Sequence, residues 1–153
     1  MRIISFKNIK NGNVIMSFSE PMAYYLINSY VMQYPVNILK LNERYSYSYN
    51  IARKLALHSS MDNNIKKGTD DIISVKSLLD CTGLPKWKDV NGHWTRRIKE
   101  PFEKALDEIK TVNAIKYWEY SNSKKEVLTD NQKYISNYEI FEKIYIHFKM
   151  ESH

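Results

Sequence analysis

The sequence predicts an α+β fold, and three observations lead to that prediction. Residues 93–110 repeat apolar side chains at spacings of three and four, which is typical of an amphipathic helix. Residues 144–150 alternate apolar and polar side chains, which indicates a strand. Asn11-Gly12 lies between two runs rich in Ile, Phe and Val, and this dipeptide is favoured in tight β-hairpin turns. With 153 residues, we expect one domain that buries a sizeable core without disulfides or metal.

Composition and charge restrict the class of protein. Hydrophobic residues make up 43% and charged residues 26% of the chain, as in ordinary soluble globular proteins. Cys81 is the lone cysteine, so we expect a reducing, cytoplasmic setting. The N-terminus lacks the apolar core of a signal peptide, and no apolar run approaches the roughly 20 residues that span a bilayer. A net charge of +6 with a pI of about 9.2 favours a polyanionic partner, although many basic domains bind none.

The first half of the chain contains a hairpin followed by two helices. After the hairpin, Ser19 is a suitable N-cap for a helix over residues 21–32. That helix must end before Tyr34-Pro35, because the residue before a proline disfavours helical angles. A second helix covers residues 46–61, where apolar side chains share one face. The polar, turn-prone segment 62–71 is predicted to be a loop.

The next two helices follow the pattern of a helix-turn-helix pair. Ser74 caps a short helix over residues 75–82, and Gly83 closes it in the left-handed conformation. Residues 84–92 form a connector, which is longer than the usual three or four residues. The helix over residues 93–110 then occupies the position of the recognition helix.

Two strands and a turn complete the predicted core. Residues 114–120 are rich in β-forming side chains, the polar segment SNSKKE forms a turn, and a longer excursion leads to the strand at 144–150. This order of elements predicts a winged helix-turn-helix. Residues 1–34 would be an N-terminal hairpin and helix extension, and residues 35–153 the core, with the wing around 114–150.

The predicted recognition helix has two chemically different halves. At about 100° per residue, its apolar side collects Trp94, Ile98, Phe102, Ala105 and Ile109. The opposite side carries Arg96 and Arg97 first, and acidic Glu103 and Asp107 later. Since DNA phosphates repel carboxylates, only the N-terminal half is expected to enter a groove, and we expect a kink at Pro101.

The arginine pair is the centre of the predicted DNA-binding site. Arg96 and Arg97 have the donors needed to read guanine edges, while lysines near the turn and the wing hold phosphates. Ser74 would leave the first amides of its helix available to an anion. The remaining candidate contacts are His93, Lys76, Lys86, Lys88, Lys124 and Lys125. The plainer interpretation is a solvated helix face, and Trp87 is more simply a packing residue than an interface residue.

A resemblance to a known family rests on four segments, NIARKLALH, ISVKSLLDCTGLP, HWTRRIKEPFEKALDEIK and KYWEY. In content and order they resemble replication initiators of Gram-positive plasmids and integrative elements, over roughly residues 35–120. The resemblance implies a winged-helix domain that recognises repeats at a replication origin, with DNA contacts at Arg96, Arg97 and Lys99. Because such initiators are often longer, we expect this chain to be the DNA-binding portion of a larger assembly.

The residues do not support an enzyme. The glycines stand alone, without a phosphate-binding loop, and the histidines are far apart, with no His-x-His pair for a nickase metal. Cys81 has no cysteine partner for zinc. We therefore expect no catalytic residue, cofactor or metal. The alternatives are an origin-binding initiator, a winged-helix transcriptional regulator, and a protein-interaction module with an acidic partner. Double-stranded DNA is the expected partner, with a homodimer or further replication proteins left open.

Overall fold

The computed structural model describes residues 4–10, 13–28, 35–41, 46–129 and 137–151. Contacts within the chain divide it into two compact units, Met1–Gln33 and Tyr34–His153. The division falls beside the border that the sequence predicts between the N-terminal extension and the core.

The first unit begins with an antiparallel hairpin. Strand β1, Ile4–Lys10, pairs with strand β2, Asn13–Phe18. Lys10 lies opposite Asn13, so two residues connect the strands, as in the tightest hairpins. These two residues are the predicted turn dipeptide Asn11-Gly12, which itself lies outside the described residues.

Helix α1, Glu20–Asn28, follows the hairpin. The predicted end of this helix near residue 32 lies outside the described residues. The carbonyl of Ser19 accepts the N–H of Ala23 at 2.9 Å, which starts the helix. The Ser19 hydroxyl, however, has no hydrogen-bond partner among the described residues. The prediction of a side-chain N-cap at Ser19 is therefore wrong, and the backbone alone begins α1.

The second unit is a mixed α+β structure, which confirms the predicted class. Its strands form one antiparallel sheet in the order β3-β5-β4. Its helices are α2 Ser46–Ser60, α3 Asp62–Lys67, α4 Val75–Thr82, α5 Glu100–Thr111 and α6 Tyr138–Phe141, with short 3₁₀ turns at Val36–Lys40 and Trp87–Asp89 and a π turn at Thr95–Lys99. Its strands are β3 Ile72–Ser74, β4 Ile115–Ser121 and β5 Tyr145–Met150. No helix in the described part of the chain is long and apolar enough to cross a membrane.

Two elements follow α2: a helix that replaces most of the loop predicted over residues 62–71, and a strand that begins just after that segment. The first, α3, ends at Gly68, which adopts the left-handed conformation with φ of 64°. The second, β3, is too short to show an alternating pattern and pairs with β5, far along the chain. The ring of His58 holds the region together, since its Nε2 lies 2.8 Å from the carbonyl oxygens of both Thr69 and Ile72.

The core of the second unit lies between the helices and one face of the sheet. Helix α5 packs against both α2 and β4. Phe102 and Phe141 meet edge to face, with ring centroids 5.9 Å apart. Fully burying a side chain of this size stabilises the fold by roughly 1.5–3 kcal/mol. The largest fully buried side chains include Ile51, Leu55, Leu78, Ile98, Phe102, Leu106, Phe141, Ile146 and Phe148.

The predicted helix 93–110 is divided into the π turn and α5, and Pro101 explains the division. The N–H of Glu100 donates to the carbonyl of Thr95, five residues back. In an α-helix Pro101 would press against the carbonyl of Arg97, and the wider turn just before it relieves that clash. The predicted kink therefore takes the form of a π turn.

The π turn also suits the spacing of the buried side chains. Trp94, Ile98 and Phe102 follow one another at intervals of four. On an α-helix of 3.6 residues per turn, two such intervals drift by about 80° around the axis. A turn with an additional residue takes up this drift, so all three side chains stay in the core.

Candidate nucleic-acid interface

The exposed side of the π turn carries Arg96 and Arg97. Both side chains are exposed, while Trp94 and Ile98 beside them are only 5% and 1% exposed. The Trp94 ring packs on Phe141, with centroids 5.3 Å apart. Neither guanidinium forms a hydrogen bond or ion pair within the described residues. The turn therefore presents two adjacent cations from a support that is anchored in the core.

A tight turn directs the chain into this segment. Asn91 and Gly92 both have positive φ, 44° and 82°, and glycine adopts this region without steric cost. The N–H of His93 donates to the carbonyl of Val90 at 2.9 Å. In turn, the His93 carbonyl accepts the N–H of Arg97 at 3.1 Å. His93 is exposed and stands at the start of the segment, next to the arginine pair in sequence.

Two acidic residues of α5 accept hydrogen bonds from strand β4. Glu103 accepts a hydrogen bond of 2.9 Å from the Tyr120 hydroxyl, and Asp107 accepts one of 3.0 Å from the Trp118 indole. Burial, and then the charge of Glu103, raise the pKa of Tyr120, so this hydroxyl stays a donor. The sequence placed both carboxylates on the side of the helix opposite the core, and the structure adds that β4 supplies a hydrogen-bond donor to each.

Lys99 lies on the same side as these carboxylates. Its ammonium is 3.8 Å from the carboxylate of Glu103, and its side chain is only 16% exposed. Lys99, Glu103 and Asp107 follow one another at intervals of four residues, so they line one side of the helical segment formed by the π turn and α5, towards β4. Lys99 is therefore largely buried and paired with Glu103, whereas Arg96 and Arg97 are exposed.

The turn that the sequence predicts at SNSKKE is present at the end of β4. The side-chain carbonyl of Asn122 accepts the backbone N–H groups of Lys124 and Glu126 at 2.9 and 3.0 Å. Beyond the turn, Val127 forms a bridge with Ser121. Lys124 is exposed, as the sequence predicted for a hairpin tip.

Lys125 differs from its neighbour in this turn. It adopts a φ of 65°, and its ammonium lies 2.5 Å from a carboxylate oxygen of Asp71. Burial raises the pKa of Asp71, but the hydrogen bond and charge of Lys125 outweigh it, so that pKa lies below its usual range. Lys125 is therefore paired with Asp71 in this structure, and its contact with a DNA backbone stays a prediction.

Asp71 belongs to a polar cluster that the sequence analysis missed. The His147 ring lies between Glu119, 3.0 Å from Nδ1, and Asp71, 3.4 Å from Nε2. The Tyr117 hydroxyl is 3.5 Å from the same Nε2. These residues, with Lys125, are named the His147 cluster. Because side chains alternate along a strand and Ile146 is buried, the cluster lies on the sheet face opposite the core.

Three of the predicted lysines border one groove of about 830 Å³, named the Trp87 groove. It lies between α4, the connector and α6. Its charged lining residues are Lys76, Lys86, Lys88, Asp80, Glu139 and Glu142, and its apolar ones are Leu79, Leu84, Pro85, Trp87, Ile98 and Tyr138. The structure thus brings together lysines that are distant in sequence, but it places carboxylates among them.

The N-terminus of α4 does not offer free amides. The N–H of Val75 donates to the backbone carbonyl of Ile144 at 2.9 Å, and the N–H of Lys76 donates to the backbone carbonyl of Glu142 at 3.2 Å. The N–H of Ser77 donates to the Ser74 hydroxyl oxygen at 3.3 Å. Ser74 is therefore a side-chain N-cap, as predicted, but the expected anion site at this end of α4 is wrong.

Two further observations concern known types of site. In the described ranges, no group of three or more His, Cys, Asp or Glu side chains could hold a metal ion. Comparisons of the chain with protein-family models, with curated proteins and with solved structures found no match. The functional assignment therefore rests on the geometry described above.

Proposed function

We propose that the chain binds double-stranded DNA through the exposed side of the π turn. The observation that carries this proposal is the position of Arg96 and Arg97, adjacent, exposed and free of ion pairs in the described part of the chain. A helix of this width fits the major groove, and arginine donates two hydrogen bonds to the O6 and N7 atoms of guanine. A segment fixed by a buried tryptophan can present both side chains with little loss of entropy on binding.

The arrangement of the second unit supports a winged-helix assignment. Apart from the short helices α3 and α6, α2 is followed by β3, α4, the π turn with α5, β4 and β5, and the sheet order is β3-β5-β4. This is the order of elements and strands in winged helix-turn-helix domains. The π turn corresponds to the first turn of the helix that those proteins place in the major groove. The departures from the usual pattern are the long connector between α4 and the π turn and the two short helices α3 and α6.

The charges around the π turn favour DNA contact by its N-terminal half. The carboxylates of Glu103 and Asp107 are bound by donors from β4, which fixes them on a different side from the arginines. Exposed Lys124 extends the set of cations to the end of the sheet. We propose that Lys124 and His93 contact the sugar-phosphate backbone and that the arginines read base edges.

The biological role that we propose is origin binding by a cytoplasmic replication initiator of a plasmid or mobile element. Four sequence segments that resemble such initiators support this role. A transcriptional regulator would use the same contacts and differ only in the DNA site. Binding assays with tandem repeats and with promoters from the source element separate the two. A homodimer or further replication proteins would then assemble on the bound DNA.

Charge reversal tests the DNA-binding proposal. We expect the double variant Arg96→Glu/Arg97→Glu to bind a duplex containing the target site at least 100-fold more weakly than the parent chain, measured by fluorescence anisotropy. The matched control is Lys66→Glu/Lys67→Glu, which changes the net charge equally at exposed residues of α3. An equal loss in both variants would show that net charge, rather than the arginine pair, determines binding.

Salt dependence distinguishes DNA from an acidic protein partner. For DNA, the logarithm of affinity should fall linearly with the logarithm of salt concentration, by about 0.9 per phosphate contacted. We expect the arginine variant to have a smaller slope than the parent chain. A parent chain that binds an acidic protein tightly and duplex DNA not at all would support the protein-interaction alternative.

A further inference from the structure

The Trp87 groove contains a rigid aromatic platform. Trp87 stacks on Tyr138, with ring centroids 5.2 Å apart and planes inclined by 9°. Tyr138 is held in turn by an edge contact with buried Trp94 at 5.8 Å. Because Tyr138 covers only one face of the indole, Trp87 remains 43% exposed. An exposed indole supported in this way offers a stacking surface to another planar ring.

Unpaired cations flank this platform. Lys86 and Lys88 adjoin Trp87 in the chain, and Lys76 borders the same groove. All three are exposed, and none forms an ion pair within residues 46–129 and 137–151. An aromatic surface next to free ammonium groups matches the two parts of a nucleotide, the base and the phosphate.

Carboxylates near the Tyr138 side chain add a third feature. Asp80, Glu139 and Glu142 line the same groove as Tyr138. Burial raises the pKa of Tyr138, and the charges of Glu142 and Asp80 raise it further. Carboxylates accept hydrogen bonds from the amino groups of cytosine and guanine. These carboxylates would repel a phosphate as they would an acidic peptide, so the phosphates are expected on the side of Lys86 and Lys88. The mixture of charges therefore suits a neutral base that donates hydrogen bonds to the carboxylates, with its phosphate beside the lysines.

We propose that the Trp87 groove binds an unpaired nucleotide of a DNA strand. The base stacks on Trp87, its amino edge faces the carboxylates, and the flanking phosphates contact Lys86 and Lys88. This inference rests on the proposed function, since it takes DNA as the partner, and adds a second site for a strand that is not base-paired. The duplex contacts lie on the exposed side of the π turn, whereas the groove is formed by α4, the connector and α6, with buried Ile98 of the π turn at its border.

A pair of oligonucleotides tests the proposal on the full chain. The first is a short single strand of mixed sequence, and the second has the same length but carries only abasic residues. Stacking of one base contributes about 1–3 kcal/mol, which corresponds to about 5- to 150-fold in affinity. We therefore expect the base-bearing strand to bind at least fivefold more tightly in an anisotropy titration and to quench tryptophan emission, whereas the abasic strand does not quench it.

Variants at the groove show whether this preference arises there. Trp87→Ala should remove the preference for the base-bearing strand, whereas Trp87→Phe should retain most of it because a ring remains. Lys86→Gln/Lys88→Gln should weaken the binding of both oligonucleotides, because both carry phosphates. An unchanged preference in Trp87→Ala would overturn the proposal, as would equal affinity of the parent chain for the two strands. Displacement of the base-bearing strand by a polyglutamate peptide at equal concentration would overturn it in favour of an acidic peptide.

The arginine variant separates failure of this inference from failure of the proposed function. We expect Arg96→Glu/Arg97→Glu to lose duplex binding while keeping the preference for bases over abasic residues. If the parent chain binds no duplex but prefers the base-bearing strand, the duplex proposal fails and the groove proposal stands. If duplex is bound but Trp87→Ala changes nothing with single strands, only the groove proposal fails.

Discussion

The hydrogen bond between Tyr120 and Glu103 holds helix α5 against the sheet. Tyr120 is 5% exposed and donates from its hydroxyl at 2.9 Å, while the Glu103 side chain is 32% exposed. Removing either partner therefore has different consequences. Tyr120→Phe leaves a carboxylate that can still reach water, whereas Glu103→Ala leaves a buried hydroxyl without its acceptor.

The magnitudes follow from that difference. A hydrogen bond to a charged group contributes about 1.5–3 kcal/mol, and the partial exposure of Glu103 places Tyr120→Phe near the lower end, at about 1.5 kcal/mol. Glu103→Ala should cost about 1–3 kcal/mol because a buried donor loses its partner. The double variant should cost less than the sum, with a coupling energy of about 1 kcal/mol.

Urea denaturation followed by tryptophan fluorescence measures these changes. All three tryptophans, at positions 87, 94 and 118, lie in the second unit, so the signal reports on that unit alone. Asp107→Ala provides a comparison, since its bond to Trp118 is exposed and its loss should cost less than about 1 kcal/mol. Additive effects of the two single changes, or a cost below about 0.5 kcal/mol for Tyr120→Phe, would refute the proposed role of this hydrogen bond.

Three further predictions concern stability. The pKa of Asp71 is lowered in the folded chain from 3.8, so its ionised form stabilises the fold above that value and this stabilisation is lost as pH falls through the folded pKa. Lys125→Gln should therefore reduce the loss of unfolding free energy at acid pH, measured by urea denaturation at a series of pH values. Gly83→Ala should cost about 1–2 kcal/mol by urea denaturation, because φ is 77° and a Cβ meets no atom there, so only backbone strain acts; no loss would contradict that. Phe102→Ala, at 0% exposure, should cost about 3–5 kcal/mol, and a loss below 2 kcal/mol would show that the cavity collapses.

Elements with strong local signals were predictable from the sequence. The strands at 114–120 and 144–150 correspond to β4 and β5, and the helix at 75–82 has the predicted bounds and the predicted Ser74 cap. Each depends on neighbouring residues, through periodicity or capping. Strand β3 was missed because its existence depends on pairing with β5, which local patterns do not encode.

The side-chain partners in the site were less predictable. A helical projection placed Glu103 and Asp107 opposite the core, but it does not show that β4 runs alongside and donates to them. Similarly, Lys125 is basic and lies at the turn, yet its charge is held by Asp71 from a distant segment. The helical projection correctly predicted that Arg96 is exposed, because no other described element covers that side of the π turn.

The π turn makes chain length, as well as residue type, a determinant of where the arginines point. Buried Trp94 anchors the helical segment just before the π turn, and buried Phe102 anchors it just after the turn. Deleting one residue between them would rotate everything upstream by about 100° around the helix axis. The indole would then leave its site among the aromatic rings, or the guanidinium groups would face another direction. A single-codon deletion in this short stretch should therefore be far more harmful than most substitutions within it.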